Sequence, residues 1–244
     1  MLKRFKFFLS HLFISFLVGL VVVGLVFFIW YPMPLAKATG VTQVFLMMLA
    51  IDVIVGPILG LLVYKDDKKR LIFDLTIIIL IQLSALCYGI YNIAQGRPVW
   101  IVYNVDRFEL VRNNEIYTKN LHQADKRFQR TSWLKPQFVA TEFAKDSKRR
   151  SQDMFDEILG GLEISQRPER YVNLSKSKQQ IQKRAQDLNL LNHFNNKALV
   201  QKILIEYPQA TGYVPLKANA VDMTVLVNKE KGEVVKIVDL RPWK

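Results

Sequence analysis

The stretch AIDVIVGPILG, residues 50–60, places an aspartate, two glycines and a proline inside an apolar run that extends from residue 41 to residue 64. That run exceeds the ~20 residues that a helix needs to cross a bilayer core. Asp52 stands near its middle, where an ionised carboxylate is costly and usually has a function. The stretch therefore predicts a transmembrane helix with a polar group at mid-depth.

Two further apolar runs, residues 7–31 and 71–93, are also long enough to span a bilayer. Basic residues precede the first run and Ala36-Lys37-Ala38 follows it, an arrangement also found in cleavable signal peptides. A signal peptide, however, has an apolar core of only ~7–15 residues. This run is longer and ends in Trp30-Tyr31, a pair suited to a membrane interface. The sequence predicts three transmembrane helices, the first of them an uncleaved anchor.

Positive charges flank these segments unevenly. The N-terminus and the KDDKKR loop, residues 65–70, are basic, whereas residues 32–40 between the first two helices carry only Lys37. The positive-inside rule therefore places the N-terminus in the cytoplasm. Three crossings then divide the chain into a transmembrane region, residues 1–94, and an exported domain, residues 95–244, in the periplasm of a bacterium with two membranes.

The exported part is basic. Residues 97–244 hold 26 of the 34 Lys and Arg but 17 of the 21 Asp and Glu. This excess suggests anionic neighbours, either lipid headgroups or an acidic protein surface, although a well-solvated surface explains it equally well. The single cysteine, Cys87, lies in the third apolar run, so the domain has no disulfide and depends on its own core.

The pattern within residues 95–244 predicts an α+β domain. Residues 99–111, VWIVYNVDRFELV, indicate a strand entering a turn around residues 104–107. Residues 220–240 indicate a β-hairpin whose turn spans residues 229–232.

Two helices are predicted ahead of that hairpin, and we expect them to form a helical hairpin. Ser175 caps a helix that runs to about Leu191, with one apolar face formed by Ile181, Ala185 and Leu188. Asn195 or Asn196 caps a second helix that ends at Tyr207-Pro208. Its predicted inward-facing side chains are Leu199, Val200, Ile203, Leu204 and Tyr207.

Residues 113–170 give the weakest pattern, with some helical periodicity around residues 125–128 and 154–159. Within this stretch, residues 145–150, KDSKRR, form a basic cluster without interleaved aromatic residues. Such a cluster is more typical of a solvated loop than of a nucleic-acid site.

Asp52 and Gln82 lie at matching depths on helices that cross the membrane in opposite directions. We expect their side chains to hydrogen-bond near the midplane, either as a clasp between the second and third helices or as a polar contact for a partner helix. Asp74 lies near the cytoplasmic edge, more than ~10 Å from the depth of Asp52 at 1.5 Å per residue. This separation argues against a pair of aspartates that hydrolyses peptides within the membrane.

Small residues follow the spacing that allows close helix packing. Gly56 and Gly60 form a GxxxG motif, and Ala85 and Gly89 repeat the spacing on the third helix. Such faces pack against a partner helix or against each other within one bundle. Pro57 is predicted to kink the second helix, because it lacks an amide donor.

The residues for other site chemistries are missing. His11, His122 and His193 are far apart and lack metal-ligand spacing, and the chain has neither a GxSxG motif nor a glycine-rich phosphate loop. The sequence predicts no catalytic constellation, metal, cofactor or nucleic-acid partner.

Taken in order, these features resemble the TfpX/TfpZ family of type IV pilin accessory proteins, which is related to FimB. The resemblance covers the chain from end to end and is densest in the membrane segments. The residues that carry it are Tyr31-Pro32, Asp52, Gly56-Pro57, Lys69, Asp74-Leu75, Gln82, Tyr88-Gly89, Arg97-Pro98 and Pro242-Trp243.

The resemblance implies a non-enzymatic, chaperone-like protein of the bacterial inner membrane that stabilises its cognate major pilin before pilus assembly. Its partners would be the pilin transmembrane helix, the pilin periplasmic head and the lipid bilayer. On this hypothesis Asp52, Gln82 and the Gly56-Pro57 kink shape a groove for the pilin stem, with Gly60, Ala85 and Gly89 as further contacts. The basic domain would discriminate between pilins.

Two other classes of function stay open. One is a membrane enzyme that modifies pilin or a lipid-linked substrate with Asp52 as acid or base, which requires a second polar group within reach and cannot use Gln82 for proton transfer. The other is a membrane sensor, which the short cytoplasmic segments disfavour.

Overall fold

The computed structural model describes residues 2–65 and 69–243. The chain divides into two compact units, Met1–Pro32 with Val41–Gly96 and Met33–Gly40 with Arg97–Lys244. The middle of the predicted basic loop, residues 66–68, lies outside the described residues.

The helices of the first 96 residues are α1 (Leu2–Gly24, continued by a π-helical turn, Leu25–Trp30), α2 (Leu35–Thr39), α3 (Val41–Val63) and α4 (Leu71–Gln95). The α1 segment with its extension, α3 and α4 are each long and apolar enough to cross a membrane, which confirms the three predicted spans. The first helix begins at Leu2 rather than near residue 7, because the basic N-terminal residues continue it.

Two side chains at the ends of the α1 segment hold the three long helices together. Arg4 Nε donates to the Leu61 carbonyl oxygen of α3 at 2.5 Å, and the Tyr31 hydroxyl donates to the Ile93 carbonyl oxygen of α4 at 2.8 Å. The last carbonyls of a helix have no partner within it. These bonds therefore cap α3 and α4 while tying both to α1.

The second unit is built on a seven-stranded mixed sheet in the order β4-β3-β1-β2-β5-β6-β7. β1 pairs in parallel with β3, and β2 with β5, while the other neighbours are antiparallel. The β6–β7 hairpin confirms the one predicted from the sequence, and the predicted strand and turn at residues 99–111 form part of a second hairpin, β1–β2. The strands are β1 Pro98–Asn104, β2 Arg107–Arg112, β3 Gln137–Thr141, β4 Tyr171–Asn173, β5 Gly212–Lys217, β6 Met223–Asn228 and β7 Glu233–Val238.

Helices α5 (Ser147–Gly160), α6 (Lys178–Arg184) and α7 (Lys197–Glu206) complete this unit, together with short 3-10 turns. Strand β1 sends Ile101 and Tyr103 to one buried cluster and Trp100 and Val102 to another. Both faces of the sheet are thus covered, as expected for an α+β domain.

The connector between α1 and α3, residues 33–40, belongs to this domain. Leu35 is 3% exposed and Ala38 fully buried in the cluster that contains Ile101. The Ala38 carbonyl oxygen accepts bonds from the amides of Ala220 (2.9 Å) and Val221 (3.2 Å). The connector and the domain that follows α4 therefore lie on the same side of any membrane that the helices cross, as the predicted topology has them. The connector nevertheless folds with the domain, although it falls within the predicted transmembrane region, residues 1–94.

Gly40 ends α2 in the left-handed conformation, with φ of 74°. A Cβ at this position would lie 2.9 Å from Ala220 Cβ. Both the backbone angle and the close approach favour glycine here, where the chain turns from the connector into α3.

The predicted helix from Ser175 to Leu191 is wrong in its extent. Helix α6 ends at Arg184, because Gln186 leaves the helix to exchange backbone bonds with Tyr213 in β5 at 2.8 and 3.0 Å. Leu188 then opens a separate 3-10 turn, Leu188–His193, whose first turn is capped by Asp187. A tertiary pairing thus overrides the helical periodicity.

The second predicted helix is confirmed as α7, with Asn196 as its cap: Asn196 Oδ1 accepts from the amides of Ala198 and Leu199. Of its predicted inward residues, Val200 is buried, but Leu199 is exposed. Of the two weak helical patterns, the one at residues 125–128 corresponds to a turn, and the one at residues 154–159 lies in α5. The predicted solvated loop at residues 145–150 is exposed as expected, but it is wrong as a loop for residues 147–150, which form the first turn of α5.

Candidate functional site

The side chain of Gln82 joins the three long helices. Its Nε2 donates to the Ser15 hydroxyl oxygen of α1 and to the Asp52 backbone carbonyl oxygen of α3, both at 3.0 Å. Its Oε1 lies 2.9 Å from His11 Nε2, which must be the donor because the amide oxygen is an acceptor. One amide on α4 therefore makes three hydrogen bonds to two other helices.

The expected bond between the Asp52 and Gln82 side chains is not formed, and Gln82 bonds the backbone of Asp52 instead. The two residues do lie at one depth, as predicted. Among the described residues, no group donates a hydrogen bond to the Asp52 carboxyl, whose residue is half-buried. This carboxyl is available to a donor from outside the chain.

Side chains from the bundle itself occupy the space beside the glycines of α3 and α4. A Cβ on Gly56 would lie 1.9 Å from Gln82 Oε1, one on Gly60 would lie 2.9 Å from a ring carbon of Phe7, and one on Gly89 would lie 2.2 Å from the Met48 sulfur. Close packing of this kind is the usual role of small residues in membrane helices. The GxxxG face thus receives the protein's own side chains.

The other two predicted site residues, Ala85 and Pro57, do not take part in this close packing in the same way as the glycines. Ala85 is exposed on α4 while Gly89, four residues on, is buried. Pro57 is buried inside α3, which continues through it to Val63. The amide that Pro57 lacks would otherwise bond the Val53 carbonyl, so a backbone acceptor is freed one residue after Asp52.

A cavity of about 230 Å³ lies between α1, α3 and α4 beside Gln82. Its walls are mostly apolar, and its polar lining includes His11, Ser15, Asp52 and Gln82. A mostly apolar cleft with a few convergent polar groups is the usual form of a binding site. The sequence-predicted pair Asp52 and Gln82 is thus part of a larger site.

His11 and Ser15 were missed in the sequence, although a signal was present. They are four residues apart and continue a spacing of four that includes Phe7 and Gly19, so the four share one helix face. The structure turns that face toward α3, where Gly19 approaches Val53 and Phe7 lies against Gly60. Polar residues on that face were therefore candidates for the bundle interior.

The cavity is lined by both a histidine and a carboxylate, His11 and Asp52, and among the described residues no hydrogen bond joins their side chains. Nucleophilic and acid–base sites place the reacting groups within hydrogen-bonding reach of each other. Here His11 Nε2 is engaged by Gln82. Among residues 2–65 and 69–243, no group of three or more His, Cys, Asp or Glu could hold a metal ion.

A second polar cluster lies in the domain, around Arg167, which is 2% exposed. Its guanidinium bonds Asp153 Oδ1 at 3.1 Å and Asp156 Oδ2 at 2.6 Å, both on α5, and Arg170 Nε bonds Asp153 Oδ2 at 2.7 Å. The hydrogen bond from Arg167, with one from Gln152, lowers the pKa of Asp156. Two arginines therefore fasten α5 to the domain through its acidic residues.

Residues 1–40 match the family model described as fimbrial assembly protein FimB. Over 229 residues, 90% of this chain and 88% of the relative, the chain is 31% identical to the fimbrial assembly protein of serogroup E1 from Dichelobacter nodosus. The chain belongs to the FimB family of fimbrial assembly proteins. This confirms the family resemblance drawn from the sequence.

Two more Dichelobacter nodosus proteins extend the comparison within this family. The fimbrial assembly protein of serogroup I is 31% identical over the same shares of both chains, and that of serogroups C1 and C2 is 39% identical over 116 residues, 47% of this chain and 88% of its own. No solved structure matches the chain. The segment matched by the FimB model contains His11, Ser15 and the connector.

Proposed function

We propose that this protein is a non-enzymatic accessory of type IV pilus assembly that binds and stabilises its cognate major pilin in the inner membrane before the pilin enters the fibre. Membership of the FimB family supports a role in fimbrial assembly. The three spans supply the membrane location. A bundle in the same bilayer can hold a client's transmembrane helix through close packing and interhelical hydrogen bonds.

The proposed orientation places the N-terminus in the cytoplasm and the domain in the periplasm. The basic N-terminal residues support the first placement. The connector supports the second, because its incorporation in the domain requires the α1–α3 loop and the domain to share one side. Three crossings meet both requirements.

The observation that carries client binding is the Asp52 carboxyl, which lines the cavity without a donor from the described residues. A polar group at this depth is costly unless it is neutral or paired. A hydroxyl, amide or amino group on the pilin helix would pair it. In this proposal Gln82, Gly56, Gly60 and Gly89 give the bundle its shape, and Pro57 and Ala85 lie near the approaching helix.

A pair of variants at Asp52 separates this role from acid–base catalysis. Asn retains hydrogen-bonding capacity but cannot transfer a proton, and Leu retains neither. We expect Asp52→Asn to keep the pilin at its normal steady-state amount and Asp52→Leu to lower it. Equal loss in both variants would favour the enzyme that uses Asp52, with His11 as the second titratable group.

The proposal as a whole is tested by pilin turnover and crosslinking in cells. Deleting the gene should shorten the pilin half-life. A photo-crosslinking residue at Leu83, which is exposed and lines the cavity, should capture the pilin N-terminal helix. The control at Ile81, which is 64% exposed against 49% for Leu83 and does not line the cavity, should capture lipid. Normal turnover without a crosslink from Leu83 would contradict the proposal.

A further inference from the structure

Helix α5 is attached to its domain by its polar side. Asp153 is buried, and Asp153 and Asp156 bind Arg167 and Arg170 as described above. Both acids are three residues apart and lie on one face of the helix. A surface helix ordinarily turns its apolar face inward, whereas the one buried residue of α5 is Asp153 and its apolar side chains face outward.

The opposite side of α5 is apolar and exposed. Two pairs of residues spaced by four form this α5 outer face: Met154 (55% exposed), Phe155 (60%), Ile158 (72%) and Leu159 (81%). Isolated exposed apolar residues are normal on proteins, but a contiguous set on one helix face marks an interaction site. Here the polar anchoring fixes which face the domain shows.

Basic side chains border this face at the start of the helix. Lys145, Lys148 and Arg149 are all exposed, and the one acid among them, Asp146, is used as the helix cap, accepting from the Arg149 amide at 3.0 Å. An apolar stripe with cations at one end fits a partner that carries apolar side chains flanked by carboxylates.

The course of α5 argues for a protein rather than a lipid surface. The helix begins near Ala144, just past the end of β3, at the sheet end that carries the β1–β2 turn. It ends near Tyr117, which follows the other end of β2, the end paired with Pro98 where the chain enters the domain. The basic residues therefore lie at the sheet end away from the chain's entry point. A helix that binds anionic lipid lies in the plane of the interface, so that its basic residues and its apolar face reach the lipid together.

We infer that the α5 outer face docks the soluble head of the client pilin, through an apolar patch bordered by acidic side chains. This inference rests on the proposed function and adds a second contact to the membrane site. It gives the basic domain a defined binding surface, with Lys148 facing the client's carboxylates.

The test uses the full-length protein in membranes of cells that make the pilin. A photo-crosslinking residue replaces Ile158, and the matched control replaces Ile205, an equally exposed apolar residue on α7. We expect Ile158 to capture the pilin head and Ile205 to capture none. The double variant Phe155→Ser with Ile158→Ser should lower the pilin amount several-fold, whereas Ile205→Ser should not.

The possible outcomes separate this inference from the proposed function. Capture of pilin from Leu83 but not from Ile158 would overturn the inference and leave the proposed function intact. Capture of lipid or of a second copy of this chain from Ile158 would also overturn it. No capture from either position, with normal pilin turnover in the deletion strain, would overturn both. A charge-reversal variant, Lys148→Glu, adds an independent readout, since it should weaken capture from Ile158 without changing capture from Leu83.

Discussion

The amide of Gln82 occupies the space that Gly56 leaves by having no side chain, so closely that a Cβ on Gly56 would lie 1.9 Å from Gln82 Oε1. The same amide makes the three bonds to His11, Ser15 and the Asp52 backbone. Glycine at position 56 is therefore a condition for the polar cluster, because it allows α4 to bring the amide against α3.

Replacing Gly56 with alanine should displace Gln82 and destabilise the helix bundle. Three bonds of about 0.6 kcal/mol each in a membrane protein amount to roughly 2 kcal/mol, with an added cost for overpacking. The measurement is the fraction of protein that stays folded and monodisperse in detergent after heating. Gly24→Ala is the control, because nothing lies within 4 Å of its added Cβ, and it should match the wild type. Equal heat resistance of both variants would contradict the packing described here.

Replacing Arg167 with alanine should strongly destabilise the domain. The change leaves Asp153 buried with Arg170 as its remaining partner, and breaking a buried ion pair from one side costs about 3–5 kcal/mol. The urea concentration at which α5 becomes open to protease should fall. Arg127→Ala removes an exposed pair with Asp125 and should change little. If Arg167→Ala resists protease as well as Arg127→Ala, the arginine is not what fastens α5.

The burial of Glu109 predicts that the protein becomes less stable as the pH rises. This residue is buried, one carboxylate oxygen has no partner among the described residues, and burial raises the pKa of this carboxyl above its usual 4.5. A raised pKa means that the folded state favours the protonated form, so Glu109 lowers stability progressively as pH rises from the usual pKa of 4.5 to the raised folded pKa, and by a constant amount above it. Glu109→Gln should therefore raise the melting temperature at pH 7.5, and the gain should shrink as pH falls toward 4.5. A gain independent of pH would show that the charge is not responsible.

The connector predicts that the domain depends on residues far earlier in the chain. Leu35→Ala removes a buried side chain from the core and should cost about 2–5 kcal/mol. Lys37→Ala, in the same connector, breaks only an exposed pair with Asp239 and should cost about 0–1 kcal/mol. Limited proteolysis of the domain in membrane vesicles compares the two. A fragment of residues 97–244 should be protease-sensitive, and if it is as resistant as the full chain, the connector is dispensable.

The membrane spans, the shared depth of Asp52 and Gln82, the β6–β7 hairpin and the Asn196 cap could be predicted because each follows from local pattern or length. The atom to which Gln82 donates could not be predicted, because helical spacing gives the depth and the face of a residue but not which acceptor its side chain bonds. The end of α6 was missed for a similar reason, because the pairing of Gln186 with Tyr213 joins residues 27 apart in the chain.

Residues 113–170 were the least predictable part. The structure shows short 3-10 turns held by specific side chains there, such as the Glu115 carboxylate that accepts from the Arg112 backbone amide and guanidinium. Such turns have no period for a pattern to reveal. The inverted face of α5 was hidden in another way, because an exposed apolar face and a buried one have the same spacing in sequence.

The buried connector makes folding of the domain depend on correct insertion of α3 and α4 into the membrane. Leu35 and Ala38 are synthesised before α3 and α4, yet the β-sheet that encloses them is completed only when β6 and β7 have emerged. In a molecule in which only one of α3 and α4 crossed the membrane, the connector would lie on the opposite side of the bilayer from its sheet. The sheet would then lack these two side chains in its core and would be degraded by quality-control proteases. Only correctly inserted copies would remain to bind a client.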